Sequence, residues 1–177
     1  MNILSNISEE PDLRCLFGRF PTGVTALCAM EQDRPVGMTA SAFVAISLNP
    51  PLVSVCIKHG SATWRQLRTR PRIGISFLGH AHAATARQLA QKDGDRFLGL
   101  DHEVTSDGAI FLANATAWLE CSLDQQIAAG DHDIVLLRLH RAAVSDDVMP
   151  LIFHSSGFHT LAPIEQSSPA LRTQEVR

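Results

Sequence analysis

The stretch from Gly37 to Phe43 combines small residues and hydroxyls in a pattern that could hold a flat polar ring. It reads Gly-Met-Thr-Ala-Ser-Ala-Phe. Small side chains let backbone N–H and C=O groups approach the heteroatom edge of a ring, and the hydroxyls of Thr39 and Ser41 add further hydrogen-bonding groups. The alternative is an ordinary strand whose small residues pack under a close neighbour, and the stretch by itself favours packing.

A second stretch, Lys58 to Thr63, could bind an anion at the start of a helix. It reads Lys-His-Gly-Ser-Ala-Thr. The first turn of a helix has free N–H groups and the positive end of the dipole, which together favour a phosphate. The alternative is a plain N-cap by Ser61 beside a solvated lysine. A ring site and a phosphate site together indicate a flavin nucleotide.

Two later segments could face a second nucleotide. His132 lies at the entry of an expected strand, flanked by Asp131 and Asp133, and could donate to a nicotinamide or its ribose. It could equally be a loop histidine held by one of these aspartates. The segment from Phe153 to His159 could form a pocket wall, although a closing hairpin is the favoured interpretation.

Other chemistries find little support. His80 and His82 are the closest histidine pair, but no Cys, Asp or Glu cluster joins them, so we expect helix-entry histidines and no metal site. Cys56 and His59 could form a nucleophilic pair, but a thiolate is disfavoured at Cys56 within an apolar strand pattern. The chain contains no phosphate-binding P-loop, no dinucleotide glycine fingerprint and no nucleophile-elbow motif.

The composition is that of one ordinary folded domain. The chain has 177 residues, of which 45% are hydrophobic and 19% charged, with a formal net charge of −3. This balance argues against a nucleic-acid surface. No segment is long and apolar enough to cross a membrane, and the N-terminus does not resemble a signal peptide. Four widely spaced cysteines suggest a reducing compartment, so we expect a cytoplasmic protein.

Hydrophobic periodicity predicts a mainly β domain with a few helices. The helices are expected at about residues 9–18, with Ser8 as a possible cap, and at 62–68 and 83–91. The strands are expected at 24–30, 36–43, 52–57, 72–78, 110–113, 115–124, 134–144 and 151–154. Many strands joined by turns favour a closed or partly closed β-barrel. We assign residues 1–162 to a single domain and 163–177 to a flexible tail.

Taken in order, the motifs resemble the short-chain flavin reductase family, the reductase components of two-component flavin-dependent monooxygenases. The resemblance covers about residues 13–161. It is carried by the blocks Gly18-Arg19-Phe20-Pro21-Thr22-Gly23-Val24-Thr25, Gly37 to Phe43, Ser47-Leu48-Asn49-Pro50-Pro51-Leu52-Val53, Ser61-Ala62-Thr63-Trp64, Asp95-Arg96-Phe97, Leu119-Glu120-Cys121, Gly130-Asp131-His132 and Leu151 to Phe158.

This resemblance implies an FMN-binding split β-barrel that forms a homodimer with the flavin near the subunit interface. The implied cofactor-binding residues are Thr39, Ala40, Ser41, Ala42, Phe43, Ala45, Ile46, Gly60, Ser61, Ala62, Trp64, Lys92, Asp93, His154, Ser155, Ser156 and Gly157. In such proteins Thr39 to Phe43 line the ring, Gly60 to Ala62 lie near the phosphate, and Lys92 and Asp93 can reach the flavin tail. His132 and the His154-to-Gly157 loop lie on the nicotinamide side.

The implied activity is the reduction of FMN or FAD by NADH or NADPH, with hydride transfer to flavin N5 and delivery of reduced flavin to a partner monooxygenase. The chain departs from the family pattern at Ala42, where a second serine is common, and at Ser76, where asparagine is common. These departures motivate an alternative: a flavin-binding carrier or redox sensor on the same barrel that does not turn over. A heme-binding barrel is a weaker alternative.

Overall fold

A computed structural model describes residues 10–162, and both Ser8 and the 163–177 tail lie outside this range. The helices are α1 (Glu10–Phe17), α2 (Ala62–Leu67) and α3 (Ala83–Leu89), with a short 3₁₀ turn at His80–His82 before α3. The strands are β1 (Thr22–Gly23), β2 (Thr25–Glu31), β3 (Arg34–Ala40), β4 (Phe43–Leu48), β5 (Pro51–Lys58), β6 (Ile73–Phe77), β7 (His102–Val104), β8 (Ile110–Leu112), β9 (Ala117–Ala129), β10 (His132–Val144), β11 (Ile152–His154) and β12 (Gly157–His159).

The main sheet has seven strands in the order β3-β2-β6-β9-β10-β5-β4. Its two outermost strands, β3 and β4, are joined in sequence by only Ser41 and Ala42. A two-residue link cannot cross a flat seven-stranded sheet, because neighbouring strands are about 4.8 Å apart. The sheet therefore curls until its edges meet at this link, and α2 packs against β3 and β2. The result is a split β-barrel whose seam runs between β3 and β4.

A long antiparallel ribbon, formed by β9 and β10, connects the two halves of the sheet. The two strands pair from Ala117–Val144 to Ala129–His132. The outer edge of β9 pairs with β6 only up to Cys121, and the outer edge of β10 pairs with β5 only from His132 to Arg138. The ribbon thus pairs with β6 at one end and with β5 at the other.

Alternation along β2 produces two hydrophobic clusters, one on each face of the sheet. Leu27 packs inside the barrel with residues such as Val55 and Ile75, whereas Cys28 packs in the outer cluster with α3 and β8. Both faces of β2 are buried because the barrel fills one side and the α3–β8 layer covers the other.

The buried carboxylate of Glu120 accepts hydrogen bonds from Arg141 and Thr105, so its charge is paired.

Most expected elements are present, and the differences have physical reasons. The expected strand over 36–43 is wrong in its last part, because the chain bends at Ser41 and Phe43 begins the next strand. The last strand of the ribbon begins at His132 rather than Ile134. The expectation that 52–57 is buried on both faces is wrong at Cys56, which is exposed on the outer face of β5. Pro51 pairs only with β4, as expected for a proline at a strand start.

Among residues 10–162, no helix is long and apolar enough to cross a membrane. The same residues contain no group of three or more His, Cys, Asp or Glu side chains that could hold a metal ion. His82 instead serves the local turn, because its Nδ1 accepts the backbone N–H of Gly79 at 3.0 Å. Burial lowers the pKa of His82 below its ordinary value.

Candidate functional site

A cavity of about 710 Å³ opens beside the predicted phosphate turn, Lys58 to Ala62. Its walls come from β3, α2 and the segment between α3 and the start of β7. Three cationic side chains contribute to its lining, against one carboxylate. The lining residues are Arg34, Pro35, Val36, Gly37, Ala62, Thr63, Gln66, Lys92, Gly94, Asp95, Arg96, Phe97 and His102. A hollow of this size with three cationic side chains on its walls suits a phosphorylated ligand.

Arg96 connects the three walls of this cavity. Its Nη1 donates to the carbonyl of Gly37 at 3.2 Å and to the hydroxyl of Thr63 at 2.8 Å, while Nη2 donates to the carbonyl of Lys92 at 3.3 Å. Gly37 is required here because a Cβ atom would lie 2.7 Å from Cys28 Sγ and 2.8 Å from the ring of Phe97. The guanidinium therefore fixes the cavity shape as well as its charge.

The predicted phosphate turn has the expected local structure. Ser61 caps α2, since its Oγ accepts the backbone N–H of Trp64 at 3.1 Å. Gly60 has a φ of 79°, which only glycine adopts readily, and the space around it is open. Trp64 itself is buried, and its indole N–H donates to Gln126. The side chain of Trp64 thus anchors α2, while Gly60 and Ser61 remain accessible.

A second hollow, a cleft of about 320 Å³, lies at the other end of β3 beside the seam. Ser41 and Phe43 contribute to it together with the segment before β2 and the segment before β11. The remaining lining residues are Phe20, Pro21, Thr22, Gly23, Val24, Thr25, Phe77, Leu78, Thr116, Pro150 and Leu151. Phe43 packs edge to face on Phe77 with ring centroids 4.8 Å apart, which gives the cleft an aromatic wall.

The seam residues from Thr39 to Ile46 divide into three groups. Ala40 packs against the inner core, and its carbonyl accepts the hydroxyl of Thr25 at 2.9 Å. Ser41 and Ala42 are exposed in the link between the strands. Ala45 and Ile46 are exposed on β4, an edge strand with unpaired backbone groups on its outer side. The side chain of Ala40 is therefore part of the barrel core. The exposed groups of the seam come from Ser41, Ala42, Ala45 and Ile46.

His132 lies next to the phosphate turn because the register of β10 places it opposite Lys58. Its Nδ1 is 2.7 Å from a carboxylate oxygen of Asp131. This hydrogen bond lowers the pKa of Asp131 below its ordinary value. This contact is the expected alternative in which a flanking aspartate holds a loop histidine. It leaves Nε2 of His132 free of the aspartate.

The segment from His154 to Gly157 is a tight hairpin turn, in agreement with the favoured interpretation. Ser155 and Ser156 have φ values of 47° and 64°, as a two-residue hairpin loop requires. The backbone N–H of Ser155 donates to the carbonyl of Gly18 at 2.8 Å. Because β11 pairs with β1, this turn is held on the side of the molecule that also contributes Thr22 and Gly23 to the cleft.

The structure places four of the predicted residues in the linings of two hollows at the ends of β3. The other predicted residues, among them Thr39, Trp64, His132 and His154, line neither hollow. Ala62 and Lys92 line the cavity, with Gly60, Ser61 and Asp93 adjacent in sequence, and Ser41 and Phe43 line the cleft. Sequence reasoning gave no role to Arg34, Gln66 or Arg96, because polar residues that come from β3, α2 and the loop after α3 share no local signal. Ser76 lies in neither hollow: it is fully buried, and its Oγ accepts the backbone N–H of Leu112 at 3.0 Å.

These features are those expected of a split-barrel protein that binds a nucleotide. Residues 17–162 match the family model described as flavin reductase like domain. The chain is 31% identical over 152 residues to a flavin reductase of Pseudomonas putida, covering 85% of this chain and 89% of that protein. It therefore belongs to the flavin reductase-like family and is a flavin reductase, an enzyme that uses NAD(P)H.

Two further similarities extend this result. The solved structure of the Streptomyces globisporus NADH:FAD oxidoreductase SgcE6, in complex with NAD and FAD fragments, is 31% identical. It superposes with a TM-score of 0.83 over 92% of this chain and 100% of that one. The reductase subunit HsaB of a flavin-dependent monooxygenase from Rhodococcus jostii is 28% identical and is covered over 80% of its length by 89% of this chain.

Proposed function

We propose that this enzyme reduces FAD with NADH and delivers the reduced flavin to a monooxygenase. FAD and NADH are chosen because the cavity at the phosphate turn is large and cationic, and because the similar SgcE6 is an NADH:FAD oxidoreductase. Delivery to an oxygenase follows the similarity to HsaB. The bound flavin would supply the redox chemistry, as the acceptor of a hydride from the nicotinamide.

The two hollows at the ends of β3 carry this proposal. Gly37 and Ser41 are four residues apart, which is about 13 Å along a strand. Ser41 and Phe43 would hold the flavin ring, Gly60–Ala62 would hold its phosphates, and the cavity near Lys92 and Asp93 would hold its adenylate half. Thr39, Ala42, Ala45 and Ile46 border the ring along the seam, and Ala40 supports it from the barrel side.

The remaining predicted residues are assigned to the nicotinamide side. His132 presents Nε2 beside the phosphate turn, and the backbone and hydroxyls of Ser155 and Ser156 border the approach from the cleft side together with His154 and Gly157. Their task is to orient the nicotinamide against the ring. No side-chain acid or base is needed, since hydride transfer to N5 is completed by the stacked geometry.

The activity is tested by mixing the purified chain with NADH and FAD and following the NADH absorbance band. NADH oxidation that depends on added flavin is the expected result. Tight flavin binding without NADH or NADPH oxidation, with FMN or FAD, would instead establish the non-catalytic alternative.

The ring placement is tested separately with Ser41→Trp, which fills the cleft from an exposed position. We expect flavin affinity to fall at least about tenfold, since the ring and indole compete for one space. Ala84→Trp is the matched control, because Ala84 is exposed on α3 and lines neither hollow. Unchanged flavin affinity in Ser41→Trp would exclude the cleft as the ring site.

We further propose that the enzyme is a cytoplasmic homodimer. Free cysteines among the described residues support a reducing compartment. The outer face of β4, β5, β10 and β9 supports the dimer. Cys56, Ile134 and Ile127 are paired across three of these strands, and Val44, opposite Ser54, lies on the same face. Cys56 should be protected from a thiol reagent in the dimer. Rapid modification of Cys56 in a sample that sediments as a dimer would contradict this interface.

A further inference from the structure

A chain of side-chain hydrogen bonds crosses one end of the barrel beside the phosphate turn. The indole N–H of Trp64 donates to Gln126 Oε1 at 3.2 Å, and Gln126 Nε2 donates to Asp133 Oδ2 at 2.7 Å. The other oxygen of Asp133 lies 3.2 Å from Nε2 of His59. The chain therefore connects α2, β9 and β10 with the turn that follows β5.

Asp133 is the central group of this network. Its side chain is only 17% exposed, and each carboxylate oxygen has a different partner. Through His59, Asp133 holds the beginning of the phosphate turn. Through Gln126 and Trp64 it holds α2, the helix that follows the turn. Between these two anchors lies Gly60, which has a left-handed φ and no neighbours within 4 Å of its missing side chain.

Asp133 is not expected to contact the ligand itself. A carboxylate beside a phosphate would be repelled by it, and the repulsion weakens binding. Both oxygens of Asp133 are instead directed at donors of the protein. The backbone N–H of His59 also bonds to the carbonyl of Asp131 at 2.9 Å, so the side-chain link adds a second constraint at the same residue.

We propose that Asp133 is a positioning residue for the flavin phosphate, acting through His59 and through Gln126 and Trp64. It keeps the turn from Lys58 to Ser61 in the conformation that accepts the phosphate. This inference rests on the proposed function, because it assumes that the turn faces the flavin. If removal of Asp133 leaves the turn in its binding conformation only a tenth of the time, the apparent Kd for a phosphorylated flavin rises about tenfold.

The test compares flavins that differ only in the phosphate. The Kd values of riboflavin and FMN are measured by flavin fluorescence for the full chain and for Asp133→Ala. We expect about tenfold weaker FMN binding by the variant and an unchanged Kd for riboflavin, since riboflavin has no phosphate for the turn to hold. A merely structural effect would weaken both ligands together.

Three further variants keep the result interpretable if Asp133→Ala folds poorly. His59→Ala breaks the same link at a residue that is nearly half exposed, so it should reproduce the selective loss of FMN affinity. The double variant should bind FMN no more weakly than Asp133→Ala, because Asp133→Ala already removes the link to His59. Asp124→Ala is the matched control, since Asp124 pairs with Arg138 on the same ribbon away from the turn.

The outcomes separate the two proposals. No flavin binding and no NADH oxidation by the unaltered chain would overturn the proposed function. If the unaltered chain binds FMN more tightly than riboflavin, and Asp133→Ala and His59→Ala preserve that difference, the positioning role is wrong while the proposed function stands. Equal weakening of riboflavin and FMN by both variants would also overturn it.

Discussion

Replacement of Arg96 by methionine should destabilise the protein and weaken flavin binding at the same time. Methionine keeps the aliphatic part of the side chain but removes the guanidinium. Three hydrogen bonds are then lost, to Gly37, Thr63 and Lys92. At about 1 kcal/mol net for each bond, the loss is about 3 kcal/mol. For a domain of this size it lowers Tm by about 6–12 °C.

Arg96→Lys distinguishes the geometry of the clamp from its charge. Lysine keeps the positive charge but cannot present the planar fork that reaches two acceptors from one nitrogen and a third from another. We expect most of the stability loss to remain in Arg96→Lys, with FAD affinity between those of the unaltered chain and Arg96→Met.

The assays are thermal unfolding followed by circular dichroism and FAD titration followed by fluorescence. Arg65→Met is the matched control, because Arg65 lies exposed on α2 and lines neither hollow. A Tm for Arg96→Met within about 1 °C of both the control and the unaltered chain would refute the conclusion that Arg96 holds the three walls of the cavity together.

Three further predictions concern the fold. Gly74→Ala should cost at least about 3 kcal/mol, because its Cβ would lie 2.1 Å from a β8 carbonyl oxygen, whereas Gly23→Ala, with open space, should be nearly neutral. Equal stabilities in chemical denaturation would contradict this. Glu120→Gln should cost about 2 kcal/mol at pH 7. Hydrogen bonding from its guanidinium partner lowers the pKa of Glu120, so its contribution is present above the unfolded pKa and disappears as pH falls below about 4. A stability difference that is constant down to about pH 3 would contradict this. Burial raises the pKa values of Cys28 and Cys121 to about 12, so a thiol reagent at neutral pH should modify them only after unfolding.

The sequence predicts the central strands well because their signals are local. Apolar runs such as 24–30 and 52–57 form strands whose inner face is buried, and Ser61 caps a helix by contacts within three residues. The bend at Ser41 carried no Gly or Pro to mark it, so one long strand was expected there. Strands of two or three residues, such as β1, β7 and β12, are too short to show a periodicity.

The candidate site was predictable in part for the same reason. Residues of the seam and of the phosphate turn lie in compact motifs, whereas Arg96 contacts groups 33 and 59 residues away in sequence. Ser76 shows the opposite case. Its departure from the family pattern suggested an effect on the flavin, but the residue supports β8 inside the fold. Pattern comparison identified the position without indicating which side of the sheet it serves.

The ribbon of β9 and β10 has a consequence for the curvature of the whole domain. Its pairing register shifts twice, between Leu136 and Leu137 and between Leu139 and Arg141. These shifts lie around Arg138, where the pairing with β5 ends and the pairing of the neighbouring strand with β6 begins. Extra residues in a ladder increase local twist and bend the strand. The radius of the barrel is therefore set near the middle of one ribbon, far from the seam. A variant that removed the extra residue at either shift would flatten the sheet and move its two edges apart. The width of the gap in which we propose that the flavin binds therefore depends on backbone geometry on the opposite wall.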